Sequence, residues 1–470
     1  MRELPQDIVS RQVAFIKKSH NGASRGFVCA CPCSFTLSKL AAGALDKSRD
    51  MHHSSISFLG VTAHLAALSA LALARLRLVN SRRARKPRNH IVCGRRIQYK
   101  MQKSVAKISL RTIEENALYF KNRTGAKLCA VVKDDAYGHG AAEVAVALHE
   151  IADCFAVSNI DEAAALQSAT DKDILILTPP ADEAEAREIA LRGCIMSVDS
   201  ACVACFAASA AAFLNKLSAS GERGGEKGEE KFVRAHIKTN TGMNRFGCDG
   251  AAFTRVCELL KNCAGVRVEG IFSHLAGVNR LENAIAQRDL FLKQCAAAER
   301  FFGKLTRHLS ATAGACLSSD FYFDMVRVGL GLYGYLPEGC LPLAAVKRGR
   351  GGKAFSPVRP AMKAYARCIE SRTYQSGFIG YGERTGERGE KLHAVNAGYG
   401  GGVFRKMQNG MSGGENAALP CMDCTIRRGF QPRGKEICVM KNAEDTARAA
   451  GTIAYDVLCC VGSHAQREYI

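Results

Sequence analysis

Leu128-Cys129-Ala130-Val131-Val132-Lys133 runs without a break into Asp134-Asp135-Ala136-Tyr137-Gly138-His139-Gly140. The first five residues are apolar at odd and even positions alike, the pattern of a strand buried on both faces, as in a parallel sheet. Lys133 therefore stands at the carboxyl end of a buried strand, where α/β folds gather their chemistry. Burial disfavours the charged ammonium, so a lysine there loses its proton more readily and can add to a carbonyl. Taken alone, the position equally suits a rim lysine whose stem lies on apolar surface while the amine reaches water.

Seven further apolar runs follow at intervals filled by helical stretches: 154–157, 174–177, 194–198, 233–237, 268–272, 308–311 and 325–328. With 128–132 they make eight, and eight buried strands alternating with helices predict a (β/α)8 TIM-type barrel. Upstream, 105–110 alternates like a strand, and Thr112-x-x-Glu115 has the form of a capping box opening a helix with Ile113, Leu118 and Phe120 on its apolar face. The Gly-, Glu- and Lys-rich segment 218–231 reads as a surface insertion, and 348–353 as a linker. Beyond it, Gly and Pro punctuate short alternating segments such as 393–397 and 425–427, which favours an all-β second domain. The expected organisation is a leader over 1–100, a barrel over 101–345 and a mainly β C-terminal domain over 346–470.

The chain has 470 residues, 47% hydrophobic and 23% charged, which is ordinary for a globular protein and excludes wholesale disorder or a coiled-coil rod. Its net charge of +21 would suggest a nucleic-acid partner if it were evenly spread, but residues 1–100 hold 18 basic residues against 4 acidic ones. Two thirds of the excess thus belongs to the leader, and no nucleic-acid partner is expected. An apolar run over 56–74, followed by the Arg82-Arg83-Ala84-Arg85-Lys86-Pro87-Arg88 cluster, has the length and basic flank of a signal anchor. The competing explanation is that Met101 is the true start. The 21 cysteines are scattered rather than densely spaced, as expected for reduced thiols in a cytoplasmic protein. Cys421-x-x-Cys424 is a lone pair, Cys29-x-Cys31-x-Cys33 has no second half, and no metal site is expected.

Ala130-Val131-Val132-Lys133 with Ala136-Tyr137-Gly138-His139-Gly140 resembles the pyridoxal-phosphate signature of bacterial alanine racemases, in which the lysine carries the cofactor. The resemblance recurs in order along 103–470: His236-x-Lys238-x-x-Thr241-Gly242-Met243-Asn244-Arg245-x-Gly247, then Ser273-His274-Leu275-Ala276, Thr312-Ala313, Asp324-Met325-Val326-Arg327-Val328-Gly329-Leu330, Gly398-Tyr399, Cys421-Met422-Asp423 and Ala454-Tyr455-Asp456. It implies a homodimer that interconverts L- and D-alanine, supplies D-alanine for peptidoglycan, and shares each active site between two subunits. Lys133 would hold the cofactor and serve one face of the substrate, and Tyr399 of the partner subunit the other. A free tyrosine loses its proton only near pH 10, so it needs help, which the family takes from the histidine matched by His274. Arg327 would face the pyridine nitrogen and, staying charged, keep it unprotonated, which suits racemisation over transamination. Arg245 and the backbone N–H of Met422 would receive the substrate carboxylate, and Lys238 matches a position often N-carboxylated. Phosphate would fall to the hydroxyls of Tyr137, Thr312 and Tyr455 and the N–H groups of Gly329 and Leu330.

The chain departs from the family pattern at Asp134-Asp135, where Ala-Asn is usual, at Asn240 in place of Asp, at Ala311 in place of Asn, at Gly401, where an Asp is normal, and at the C-terminus, where one arginine, Arg467, is left. None of these removes a proposed base or cofactor ligand. The nearest alternative function is a broad-specificity amino-acid racemase. A non-catalytic pyridoxal-phosphate carrier would end with the barrel, and a pyridoxal-phosphate decarboxylase would place an acidic residue where Arg327 stands.

Overall fold

The computed structural model describes residues 104–220, 232–337, 340, 356–381, 384–408 and 418–470. The leader with its basic cluster, Met101, most of the segment 218–231, the boundary at 345–346 and the linker at 348–353 lie outside them.

The first strand, β1 (Val105–Ile108), turns only Ala106 and Ile108 fully inward. The helix after it is capped by Ser109, whose hydroxyl accepts from the Thr112 N–H, so the cap stands three residues before the Thr112-x-x-Glu115 box read from sequence. Eight barrel strands form, seven of them on the expected runs and the one expected over 308–311 displaced to end at His308: β2 (Lys127–Val131), β3 (Cys154–Val157), β4 (Ile174–Ile176), β5 (Met196–Val198), β6 (Val233–Lys238), β7 (Val266–Phe272), β8 (Thr306–His308) and β9 (Met325–Val328). They pair in parallel as β4-β3-β2-β9 and β5-β6-β7-β8. A Leu175–Ile195 bridge joins the first group to the second, and Asp324 N–H to Arg307 carbonyl and Arg327 N–H to Ser310 carbonyl bonds close β8 onto β9. The ring is therefore complete, and β3 and β9 are buried along their whole length, as their unbroken apolar runs require.

The C-terminal sheet is formed by β10 (Met362–Thr373), β11 (Lys391–Val395), β12 (Ala418–Pro420), β13 (Thr425–Arg428), β14 (Glu436–Met440) and β15 (Gln466–Tyr469). β1 also belongs to this sheet: it runs antiparallel to β10 and parallel to β15. Its alternating burial fits a sheet with one covered face, and that of β10 does the same. The region is mainly β but not all β, since helices Ala443–Ala450 and Ala454–His464 separate β14 from β15. Among the described residues one helix, Ala201–Ala219, is long and apolar enough to cross a membrane; it lies between β5 and β6, and turns Val203, Ala204, Ala207, Ala211 and Leu214 into the hydrophobic core.

Candidate active site

The end of β2 delivers Lys133 into a turn wound in the left-handed sense. Asp134, Asp135, Ala136 and Tyr137 have φ values of 52°, 52°, 55° and 53°, and each costs roughly 1–2 kcal/mol relative to the right-handed form. Bonds from Ala136 N–H to the Val132 carbonyl (2.8 Å) and Gly138 N–H to the Asp134 carbonyl (3.0 Å) close the turn. The Asp135 carboxylate accepts from the Ala141 N–H at 2.8 Å and pairs with Arg467 at 2.5 Å. The departure at Asp135 is thus neutralised by the one arginine left at the C-terminus, while Asp134 lies 3.5 Å from the Lys133 Nζ. The winding carries the Tyr137 hydroxyl against Gly329, where a Cβ would meet it at 2.5 Å.

At the carboxyl ends of the barrel strands lies a cavity of about 600 Å³. Lys133 and Tyr137 from the turn, Lys238 after β6, His274 after β7, and Arg327 with Gly329 on and after β9 all reach it, as do Arg245, Thr312, Leu330 and Tyr455. Among the described residues four cationic side chains line it and no Asp or Glu does. One end is a cradle of donors. The Thr312 hydroxyl accepts from the Gly329 and Gly331 N–H groups at 3.3 and 3.2 Å, which leaves its own proton to donate. Burial, then the neighbouring Tyr455, raises the Tyr137 phenol far above its usual range, and burial raises that of Tyr455, so both hydroxyls keep their protons. Hydroxyls and backbone N–H groups without a carboxylate fit a phosphate, and the cations fit a carboxylate beside it.

Arg327 is buried at the centre. Its Nη1 donates to His308 Nδ1 at 3.0 Å and to the His308 carbonyl at 2.8 Å; its Nη2 donates to the carbonyls of Ser273 (2.6 Å) and Leu309 (3.1 Å) and lies 3.5 Å from His274 Nδ1. Because the guanidinium can only donate, His308 Nδ1 is the acceptor. The proton of His308 then sits on Nε2 and points to His236 Nδ1, 2.9 Å away. Burial and the Arg327 charge hold His308 well below its ordinary range, and burial with Arg234 holds His236 down at about 3. His274 is likewise lowered to about 3, by burial first and then by Arg327, Lys238, Arg245 and Lys133. Lys238 falls to about 7 through burial, Arg327 and Arg245.

Tyr399 and Met422 stand apart from this cavity. Their backbone segments lie side by side instead: the Tyr399 N–H donates to the Cys421 carbonyl at 2.9 Å and the Gly400 N–H to the Met422 carbonyl at 2.8 Å. Met422 is exposed and Tyr399 half-buried. At the other departures, Asn240 ties its own loop, its amide donating to Asn244 and Asp249 and its oxygen accepting from the Gly242 and Asn244 N–H groups. Ala311 lines the cavity, and a side chain at Gly401 would meet nothing within 4 Å. Sequence reasoning passed over Ser158, Thr178 and Phe272, which also line the cavity. All three lie at strand carboxyl ends, the position that marks such residues in a barrel.

The family model described as alanine racemase, N-terminal domain, matches residues 108–337, and that described as alanine racemase, C-terminal domain, matches 361–469. An alanine racemase of Streptococcus pyogenes serotype M5 is 30% identical over 392 residues, spanning 78% of this chain and 98% of its own. Among solved structures, an alanine racemase from Streptomyces coelicolor A3(2) is 27% identical with a TM-score of 0.66, covering 78% of this chain and 98% of its own. One from Bartonella henselae with covalently bound pyridoxal phosphate has the same fold, at 24% identity and a TM-score of 0.62, covering 78% of this chain and 99% of its own.

Proposed function

The chain belongs to the alanine racemase family, a family of pyridoxal-phosphate-dependent isomerases, and from that membership we propose how its own residues interconvert L- and D-alanine. The cofactor, when bound, supplies an electron sink conjugated to the substrate's α-carbon, which makes the α-proton removable. Lys133 would hold it, and the hydroxyls of Tyr137, Thr312 and Tyr455 with the Leu330 N–H would take its phosphate, together with the Gly329 N–H, which would have to share its proton with Thr312. The observation that carries this reading is one cavity that joins Lys133, a buried Arg327 and a donor cradle with no carboxylate among the described residues.

Lys133 Nζ would exchange the α-proton on one face and the Tyr399 phenol of a second copy on the other. Support for a shared site comes from the separation of Tyr399 and Met422 from the cavity and from the backbone bonds that hold their two segments side by side. His274, held neutral by burial and Arg327, offers a lone pair to the phenol proton. Arg327 is lowered only to about 10 by burial and so keeps its protons at neutral pH. Facing the cofactor's ring nitrogen, a guanidinium in that state would leave it unprotonated, which would favour return of the proton to the α-carbon. Arg245 and the Met422 N–H would receive the substrate carboxylate.

Lys238 would be a site of N-carboxylation: an amine near 7 is substantially neutral at pH 7, the form that adds to carbon dioxide with loss of a proton, and the anion formed would have the charges of Arg327 and Arg245 as neighbours. The enzyme is proposed to be a cytoplasmic homodimer supplying D-alanine for peptidoglycan. The cysteines of the described residues are all free thiols, as a reducing compartment would keep them.

Supplying L-alanine to the loaded enzyme should yield D-alanine, and borohydride should fix the cofactor's mass to the Lys133 peptide. Label on another lysine overturns the assignment. Tyr399→Phe should slow solvent-deuterium wash-in from one enantiomer more than from the other while cofactor binding persists; equal slowing of both would reject its one-face role.

A further inference from the structure

Two barrel loops carry the same device, and only one of them reaches the lysine turn. Asn159-x-x-Glu162 after β3 and Asp182-x-x-Glu185 after β4 both cap a helix: the Asn159 and Asp182 side chains accept from the Glu162 and Glu185 N–H groups at 3.0 and 2.9 Å. In an ordinary capping box the glutamate returns to the N–H of the capping residue. Here each reaches one residue further back, Glu162 Oε2 accepting from the Ser158 N–H at 2.7 Å and Glu185 Oε2 from the Ala181 N–H at 2.8 Å. Glu162 then uses its second oxygen as well, accepting from the Asp134 N–H at 2.9 Å. Among the described residues the second oxygen of Glu185 holds no backbone N–H.

Asp134 follows Lys133 and is the first left-handed residue of the turn. The bonds inside the turn engage the N–H groups of Ala136, Gly138 and Gly140; the first N–H groups of any helical turn have no partner within it. Glu162 supplies that partner, and through Ser158 it ties the turn to a loop that lines the same cavity. We infer that Glu162 is a positioning residue for Lys133: its carboxylate fixes the backbone on which the amine is mounted, and so the direction from which that amine meets the substrate's α-carbon. This rests on the role proposed above for Lys133.

The test compares Glu162→Ala and Glu162→Gln with Glu185→Ala, in the full chain loaded with pyridoxal phosphate. Glu162→Ala and Glu185→Ala each lose the carboxylate that ties the helix start to the residue before its cap, while the Asn159 and Asp182 caps stay in place, so a merely structural role would lower their thermal midpoints alike and leave the chemistry of the folded enzyme untouched. Misplacing the amine should instead lower kcat of Glu162→Ala at least about tenfold, with KM for alanine changed by less than about threefold. The visible absorption of its bound cofactor should shift as well. Glu162→Gln keeps one acceptor oxygen and should fall between Glu162→Ala and the native enzyme; it also carries the test if Glu162→Ala does not fold. Glu185→Ala should keep native kcat and absorption. Native kcat and absorption in both Glu162 variants would overturn the inference, as would equal losses in Glu185→Ala. A native enzyme that forms no D-alanine from L-alanine would overturn the proposed function instead.

Discussion

The Arg327 guanidinium has four acceptors within 3.1 Å, three of them carbonyls and one an imidazole nitrogen. A lysine has three donors and no planar fork, so Arg327→Lys must leave at least one of these acceptors unpartnered in the core. At roughly 1–3 kcal/mol per buried group left without its bond, unfolding by denaturant should show a loss of that size or more. A change under about 0.5 kcal/mol, typical of a surface substitution, would mean that water or a rearranged His308 replaces the fork. Arg327 itself was legible in the Val326-Arg327-Val328-Gly329 run. Its acceptors were not, because Ser273, His308 and Leu309 come from other strands and loops, and only closure of the barrel brings them within reach. The second oxygen of Glu162 was hidden for the same reason: Asn159-x-x-Glu162 announces a helix cap, and nothing in its spacing points to Asp134.

Between elements, the closest approach is backbone to backbone. Helix Ala454–His464 crosses the lysine turn where Gly462 faces Gly138: a Cβ at Gly462 would stand 2.1 Å from the Gly138 carbonyl oxygen, and one at Gly138 would stand 2.5 Å from that of Leu458. Neither neighbour is a side chain that can swing away. Gly462→Ala should therefore push the helix off the turn, costing about 1–3 kcal/mol of stability and weakening cofactor retention through Lys133 and Tyr137. Gly401→Ala, where the new methyl meets nothing, should change neither; comparable losses in both variants would assign the effect to glycine's backbone freedom rather than to the crossing. The crossing helix escaped the sequence reading because Gly and Pro punctuation pointed to strands alone, although Asn442 and Glu444 mark a helix start just upstream. The barrel strands, by contrast, were legible because burial on both faces demands unbroken apolar runs. The alternation of β1 was visible too, but not its partners, since β10 and β15 lie more than 250 residues further along the chain.

Among the described residues, burial holds four histidines neutral: His139, His236 and His308 in the core and His274 at the cavity, lowered to about 3. Burial lowers His139 to about 4; its Nδ1 lies within hydrogen-bond reach of the Ala136 and Tyr137 carbonyls, while Nε2 is buried without a partner among the described residues. His236 is lowered to about 3, and His308 lies well below its ordinary value. Below the unfolded value near 6.5 the unfolded chain takes up protons that the native one refuses, so stability is intact above that pH and falls as the pH drops through it. Each such group contributes about 1.4 kcal/mol per pH unit, and four together about 5.5 kcal/mol per unit, the share of His139 ending near pH 4 and those of His236 and His274 near 3. The exposed His149, raised by Asp171 and Glu150, acts in the opposite sense, adding stability at low pH that is lost as the pH rises, but solvent screens it. Asp173, lowered by its bond to Arg234, adds its loss only nearer pH 4. Against a total stability of about 5–15 kcal/mol, denaturant midpoints should hold steady from pH 8 to 7, decline steeply below about 6, and vanish before most carboxylates have protonated. Midpoints unchanged between pH 6.5 and 5 would show that these imidazoles gain solvent or a counter-ion before the fold opens.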